Sequence, residues 1–175
     1  MKPNEFVKAY YPFARESEAK TGISAVFTLA QAAIESEWGE SAPGNMFFGI
    51  KDTDGLNGNE QKILTTEYSL KGNLKPKDLG LFEFTALPEP VVKDGIKRFK
   101  YKGHALFRKY NTPKESFDDH SRFFFENPRY KRAIEHRTDA EDFAKEIVIA
   151  GYATGPQYLK TLLAVIKMIQ KELKA

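Results

Sequence analysis

Glu35 is the residue in this chain whose surroundings best suit acid–base chemistry. It lies in Ala30-Gln31-Ala32-Ala33-Ile34-Glu35-Ser36-Glu37-Trp38-Gly39. On a helix its neighbours four back and three ahead are Gln31 and Trp38. Ala32 and Ala33 are too small to fill a core, so another element must approach closely. A carboxylate near a helix C-terminus is disfavoured by the macrodipole, and an adjacent indole would add desolvation. Both effects raise a carboxyl pKa, as a proton donor at neutral pH requires. The plainer reading of a helical Glu is a solvated side chain, and Glu37 and Glu40 are read that way.

Other chemistries find little support. The 175 residues include no Cys, which excludes a disulfide framework, an iron–sulfur cluster and a thiol nucleophile. His104, His120 and His136 are isolated, and neither an HExxH pair nor an EF-hand loop occurs. Asp118, Asp119 and His120 are consecutive on a predicted helix, so their side chains diverge by about 100° each and cannot chelate together. His120 is read as a locally bonded helix residue. Phosphate-cradling glycine loops and a G-x-S-x-G turn are also absent. No metal and no cofactor are expected.

The elements that must position Glu35 follow from periodicity and caps. Phe6, Val7, Tyr10, Tyr11, Phe13 and Ala14 predict a helix over 4–21, stopped at Gly22. Ser24 caps a second helix ending at Trp38-Gly39, followed by the loop Ser41–Asn45. Residues 46–110 are rich in Gly and Asn, with β-prone pieces at 62–68, 79–85, 96–102 and 104–110. From Thr112 the pattern is helical again. Thr112-Pro113-Lys114-Glu115 and Thr138-Asp139-Ala140-Glu141 are capping boxes, with a short helix over 129–136 between the helices they open. The last helix starts at Pro156, with the core stripe Leu159, Leu162, Leu163, Ile166, Ile169 and Leu173. The run Phe123–Phe125 is assigned mainly to the core.

Composition fits one domain over 1–175, with 14 Phe, 8 Tyr and 1 Trp to build a core. No apolar run approaches the roughly 18 residues of a membrane-spanning helix, so membrane insertion is not expected. The start Met-Lys-Pro-Asn-Glu-Phe lacks the pattern of a secretory signal, which leaves the export route open. The net charge of +3 is uneven. Residues 1–92 hold 9 basic and 13 acidic side chains, and residues 93–137 hold 13 and 6. The middle third could attract an anionic polymer or simply be solvated. Phe99 and Tyr101 alternate with basic residues like a stacking platform, but the acidic N-terminal half argues against nucleic acid as a partner.

The segment Leu29–Lys51, with Ala30-Gln31-Ala32-Ala33-Ile34-Glu35-Ser36-Glu37-Trp38-Gly39 and Asn45-Met46-Phe47-Phe48-Gly49-Ile50-Lys51, resembles the signature of glycoside hydrolase family 73. These are bacterial peptidoglycan β-N-acetylglucosaminidases. Thr65-Thr66-Glu67-Tyr68, Phe107-Arg108-Lys109-Tyr110, Ser116–His120, Asn127–Tyr130 and Ala150–Thr154 continue the match in order.

The resemblance implies an α+β, mainly α, lysozyme-like helical domain with a small β lobe flanking a substrate cleft. It implies cleavage of the β-1,4 bond between N-acetylglucosamine and N-acetylmuramic acid. Glu35 matches the general acid, Glu67 the second carboxylate and Tyr152 a required tyrosine, with Tyr158 as a further candidate. Gln31, Trp38, Asn45, Phe47, Phe48, Thr66 and Tyr158 are expected to bind substrate. The expected partner is a peptidoglycan glycan strand, met by a monomer at the bacterial cell wall, in the periplasm or outside the cell.

Three features depart from the family pattern. Glu37 stands where Gly is usual and would add negative charge near the acid. Gly155 stands where Asp is usual. Residues of about 72–106 form an insertion. Two carboxylates fit acid catalysis with an activated water, a direct nucleophile, or a route using the substrate's own acetamido oxygen. The alternatives are a muramidase or lytic transglycosylase on the same fold, or a glycan-binding module without catalysis. A carboxylic acid beside an indole gives a pure binder nothing.

Overall fold

Pro3 at the first turn, with Glu5 accepting from the Lys2 amide at 3.2 Å, starts α1 (Pro3–Thr21), and Gly22 ends it at φ 73°. In the computed structural model, residues 1–153 and 156–174 are described, without the side chain of Pro156. The departure at Gly155 lies outside the described residues, as does Thr154. The chain separates into two compact units: residues 1–49 with 110–175, and residues 50–109.

The first unit is helical. Ser24 caps α2 (Ala25–Glu35), its hydroxyl accepting from the Phe27 amide at 3.5 Å. Thr112 caps α3 (Pro113–Glu126), accepting from the Glu115 amide at 3.3 Å. A 3₁₀ turn at Pro128–Tyr130 leads into α4 (Lys131–Glu135), and α5 (Ala140–Ile149) and α6 (Pro156–Glu172) complete the unit. The cap of α5 is Asp139 rather than Thr138: its carboxylate accepts from the Glu141 and Asp142 amides at 2.9 Å.

α2 is the central helix, lying against α1, α5 and α6. Ala25, Ala30, Ala32 and Ala33 are buried on it, so neighbouring backbones come close. Phe27 and Phe124 meet edge-on at 5.9 Å, and Phe143 sits 4.5 Å from Phe27. Leu162, Ile166 and Ile169 of the expected stripe are buried, whereas Leu173 is exposed.

The second unit is an antiparallel sheet. β4 (Ile96–Arg108) pairs with β1 (Glu60–Ser69), β2 (Glu83–Phe84) and β3 (Glu89–Lys93). β4 is one strand where the sequence suggested two pieces broken at Gly103. Gly103 marks a close approach instead: a Cβ there would sit 2.3 Å from the Glu83 carbonyl oxygen. β3 was not foreseen. It forms a hairpin with β4 through Asp94-Gly95, at φ 52° and 73°, with Lys93 paired to Ile96. Buried Tyr101 ties the start of the insertion to the sheet. Its hydroxyl donates to the Lys71 carbonyl at 2.7 Å and accepts from the Leu74 amide at 3.3 Å.

Candidate active site

Glu35 is the last residue of α2. The helix stops there because buried Ser36 turns its hydroxyl back to the Ala32 carbonyl and accepts from the Gly39 amide at 2.9 Å. Glu37 and Trp38 then take left-handed backbones, φ 51° and 58°. The glycine usual at position 37 is explained by that backbone, which costs a side-chain-bearing residue about 1 kcal/mol.

This turn corrects the expected contact between Trp38 and Glu35. The helix has ended, so the i+3 relation to Glu35 does not hold. The indole packs edge-on against Phe6, with centroids 5.6 Å apart. What Glu35 meets instead is Tyr158 of α6, whose hydroxyl donates to Oε1 at 3.4 Å. The Glu35 side chain reaches solvent, so it is not the buried group expected. Protein atoms crowding one side nevertheless desolvate the carboxyl and hold its pKa above the ordinary Glu range, with the Tyr158 bond opposing. The Glu37 charge is not the source of that rise.

Behind Tyr158 the polar contacts continue inward. Gln31 Nε2 donates to the Tyr158 hydroxyl at 2.8 Å, and Gln31 Oε1 lies 2.8 Å from His120 Nε2. Tyr152 stacks on Phe124 at 5.9 Å and lies 5.8 Å from the Tyr158 ring. Burial raises the pKa of both tyrosines, with further contributions from the Glu35 charge, so both hydroxyls stay protonated.

Three of the expected substrate contacts are corrected by burial. Gln31 is fully buried, with its amide engaged by Tyr158 and His120. Phe47 is buried among Phe6, Tyr10 and Phe117, and Phe48 is buried against His120 with rings 3.8 Å apart. Asn45 is half-buried at φ 55° and donates to the Tyr110 carbonyl at 3.0 Å, fixing its loop.

His120 is not the locally bonded residue expected: it is buried in the core and bonded to another helix. The available signal was its helical face, where Phe117 and Phe124 lie three residues before and four after it.

In the second unit, Glu67 and Thr66 are adjacent on β1 and point to opposite faces. Glu67 pairs with Tyr101, and Thr66 with Lys102. The sheet face that presents Glu67 therefore turns Thr66 away, so the two do not act side by side. Glu67 Oε1 lies 3.8 Å from Lys51 Nζ. Among the described residues no group of three or more His, Cys, Asp or Glu side chains could hold a metal ion. Among the described residues no helix is long and apolar enough to cross a membrane.

A mainly helical α+β fold with a desolvated, solvent-reaching carboxylic acid at a helix end is the arrangement of a lysozyme-like glycoside hydrolase, and solved domains of that class share the fold. Residues 11–171 match the glucosaminidase family model, described as mannosyl-glycoprotein endo-beta-N-acetylglucosaminidase, and the chain belongs to this family of glycoside hydrolases. It is 32% identical over 174 residues to the peptidoglycan hydrolase FlgJ of Vibrio cholerae, covering 96% of this chain and 44% of that protein. It is 30% identical over 148 residues to the exo-glucosaminidase LytG of Bacillus subtilis, covering 80% of this chain and 42% of that one. The solved glycoside hydrolase domain of Salmonella typhimurium FlgJ superposes with a TM-score of 0.71 at 26% identity, covering 99% of this chain and 92% of that domain. The chain thus spans less than half the length of these curated relatives.

Proposed function

We propose that this chain is a peptidoglycan hydrolase that cleaves the β-1,4 bond between N-acetylglucosamine and N-acetylmuramic acid, leaving N-acetylglucosamine at the new reducing end. The observation that carries the reading is Glu35: a carboxylic acid with a raised pKa, open to solvent, in a chain of the glucosaminidase family. Glu35 protonates the leaving glycosidic oxygen. Tyr158 donates to the carboxylate that this step leaves behind, and Tyr152 supports Tyr158. The enzyme works as a monomer on glycan strands of the cell wall, without a cofactor, as the names of FlgJ and LytG suggest for the substrate.

Digestion of purified peptidoglycan followed by mass spectrometry of the fragments tests the bond. Reducing-end N-acetylglucosamine is expected. Reducing-end or anhydro N-acetylmuramic acid would make the chain a muramidase or a transglycosylase, and intact sacculi would make it a binding module.

Glu67 is proposed as the second carboxylate, activating the attacking water, a role supported by its match to the family motif. Glu67→Gln should lower kcat by about 100-fold, the lower end of the usual contribution of a general base. The assay is reducing-sugar release at saturating peptidoglycan. An unchanged rate would instead support attack by the substrate's own acetamido oxygen.

A further inference from the structure

His120 is a buried, polar residue that the reaction as described does not use. It is 1% exposed and lies on α3 in an aromatic slot. The Phe48 ring is nearly parallel to it at 3.8 Å and 14°, Phe27 stacks at 6.3 Å, and Phe124 meets it edge-on at 5.0 Å. A protein needing only to fill this slot would do as well with Phe. The imidazole leaves Nδ1 buried without a hydrogen-bond partner, which is a standing cost. Its other nitrogen faces Gln31 Oε1 at 2.8 Å.

The donors and acceptors can be assigned in sequence. Burial drives the His120 pKa down to about 3, so the ring is neutral and carries one proton. Gln31 Oε1 can only accept, so that proton sits on Nε2. With its oxygen held, Gln31 must turn its NH₂ toward Tyr158, and that contact is 2.8 Å. The Tyr158 oxygen accepts from Gln31, with Tyr152 as a further hydrogen-bond partner that favours its ionised form, and the Tyr158 proton goes to Glu35 Oε1 at 3.4 Å. Three side chains, from α3, α2 and α6, therefore donate in one direction, and the line ends on the Glu35 carboxyl. Aligned bonds of this kind polarise one another.

We propose that His120 is a positioning residue for the proton donor: by fixing the orientation of the Gln31 amide, it commits the Tyr158 hydroxyl proton to Glu35. The inference rests on Glu35 being the general acid. Without a donor at position 120 the Gln31 amide is free to turn over. Its oxygen then faces Tyr158 and takes the hydroxyl proton, and Glu35 loses its donor. The loss falls on the charged carboxylate, which forms as the proton passes to the leaving oxygen, so turnover suffers and binding does not. It also raises the Glu35 pKa, because the hydrogen bond that favours the ionised form is gone. The titratable groups facing Glu35 are Tyr158 of α6 and Tyr152 in the segment before it, and both remain neutral while Glu35 titrates.

The test compares His120→Phe with His120→Gln on peptidoglycan across pH. Phe fills the slot without a donor. Gln carries an NH₂ close to the place of Nε2. For His120→Phe, kcat should fall about tenfold with KM within about twofold, and the alkaline limb of the kcat profile should move about half a unit upward. His120→Gln should recover kcat to within about threefold of wild type and restore the limb. Gln31→Met, which keeps length and removes both amide atoms, should repeat the Phe result and serves if His120→Phe does not fold. A folded His120→Phe or Gln31→Met with wild-type kcat and an unmoved limb would overturn the proposal, as would equal defects in the Phe and Gln variants. Failure of the underlying reading looks different, because Glu35→Gln would then stay active.

Discussion

Glu35→Gln leaves a folded protein whose rate of peptidoglycan cleavage falls at least about 100-fold, since general acid catalysis contributes roughly 10²–10⁴-fold. Gln keeps the size of the side chain and can still accept from the Tyr158 hydroxyl, so the variant removes the transferable proton and little else. The effect on stability has a definite sign. Desolvation raises the folded-state pKa of Glu35 above its unfolded value. The folded protein therefore holds this proton more tightly, and the group costs stability as pH rises through the ordinary carboxylate range to the raised value. Gln at this position should be at least as stable as Glu at neutral pH, and the gap should close in acid. Thermal unfolding at two pH values checks this. The acid acts only when protonated, so wild-type kcat should decline as pH rises through the raised pKa. A Gln variant cleaving at the wild-type rate would remove Glu35 from the mechanism.

Phe124→Ala should cost about 3–5 kcal/mol of stability, the usual range for deleting a buried Phe. Phe124 is fully buried and its ring is in contact range of Phe27, His120, Phe123, Tyr130, Phe143 and Tyr152, so no single neighbour can close the gap. Activity should fall as well at temperatures where the variant is still folded, because Tyr152 and His120 both rest on this ring. Denaturant titration gives the stability, and kcat measured well below the transition gives the second effect. A variant with a normal midpoint would mean that the aromatic cluster relaxes to fill the space.

The helical framework was largely legible because its boundaries carry local chemistry. Gly22, Ser24 and Thr112 mark helix ends by backbone freedom or by a side chain satisfying a terminal amide, and each does so in the structure. Where two capping residues were adjacent, at Thr138 and Asp139, the sequence pattern favoured the wrong one. The β-rich unit was harder to read. Gly103 resembles a break until the nearby Glu83 carbonyl is known. The hairpin at Asp94-Gly95 was missed although Val91, Val92 and Ile96 flank a turn-forming pair. Pro90 lies within β3, which pairs with β4, and a proline is tolerated in a strand at a sheet edge.

At the site, Glu35 stood out for a sound reason, its place at a helix end, and for an unsound one, its spacing to Trp38. The helix stops before that spacing applies. Residues that resemble family substrate contacts, such as Gln31 and Phe48, proved buried. Composition cannot distinguish a ring that faces a sugar from one that backs the residue that does. The polar line from His120 to Glu35 joins partners 89, 127 and 123 residues apart, and no local pattern encodes it.

The one-way sense of that line bears on how the enzyme readies itself for another turnover. A spent carboxylate could recover its proton from Tyr158 only by creating a tyrosinate, which burial and the neighbouring negative charge both oppose. Behind it stands an imidazole too reluctant to ionise to act as a reservoir. The interior is thus a brace and not a wire. If Glu35 is the acid, as proposed, its proton must return from the solvent-facing side, from bulk water or from the attacking water, and not through the interior.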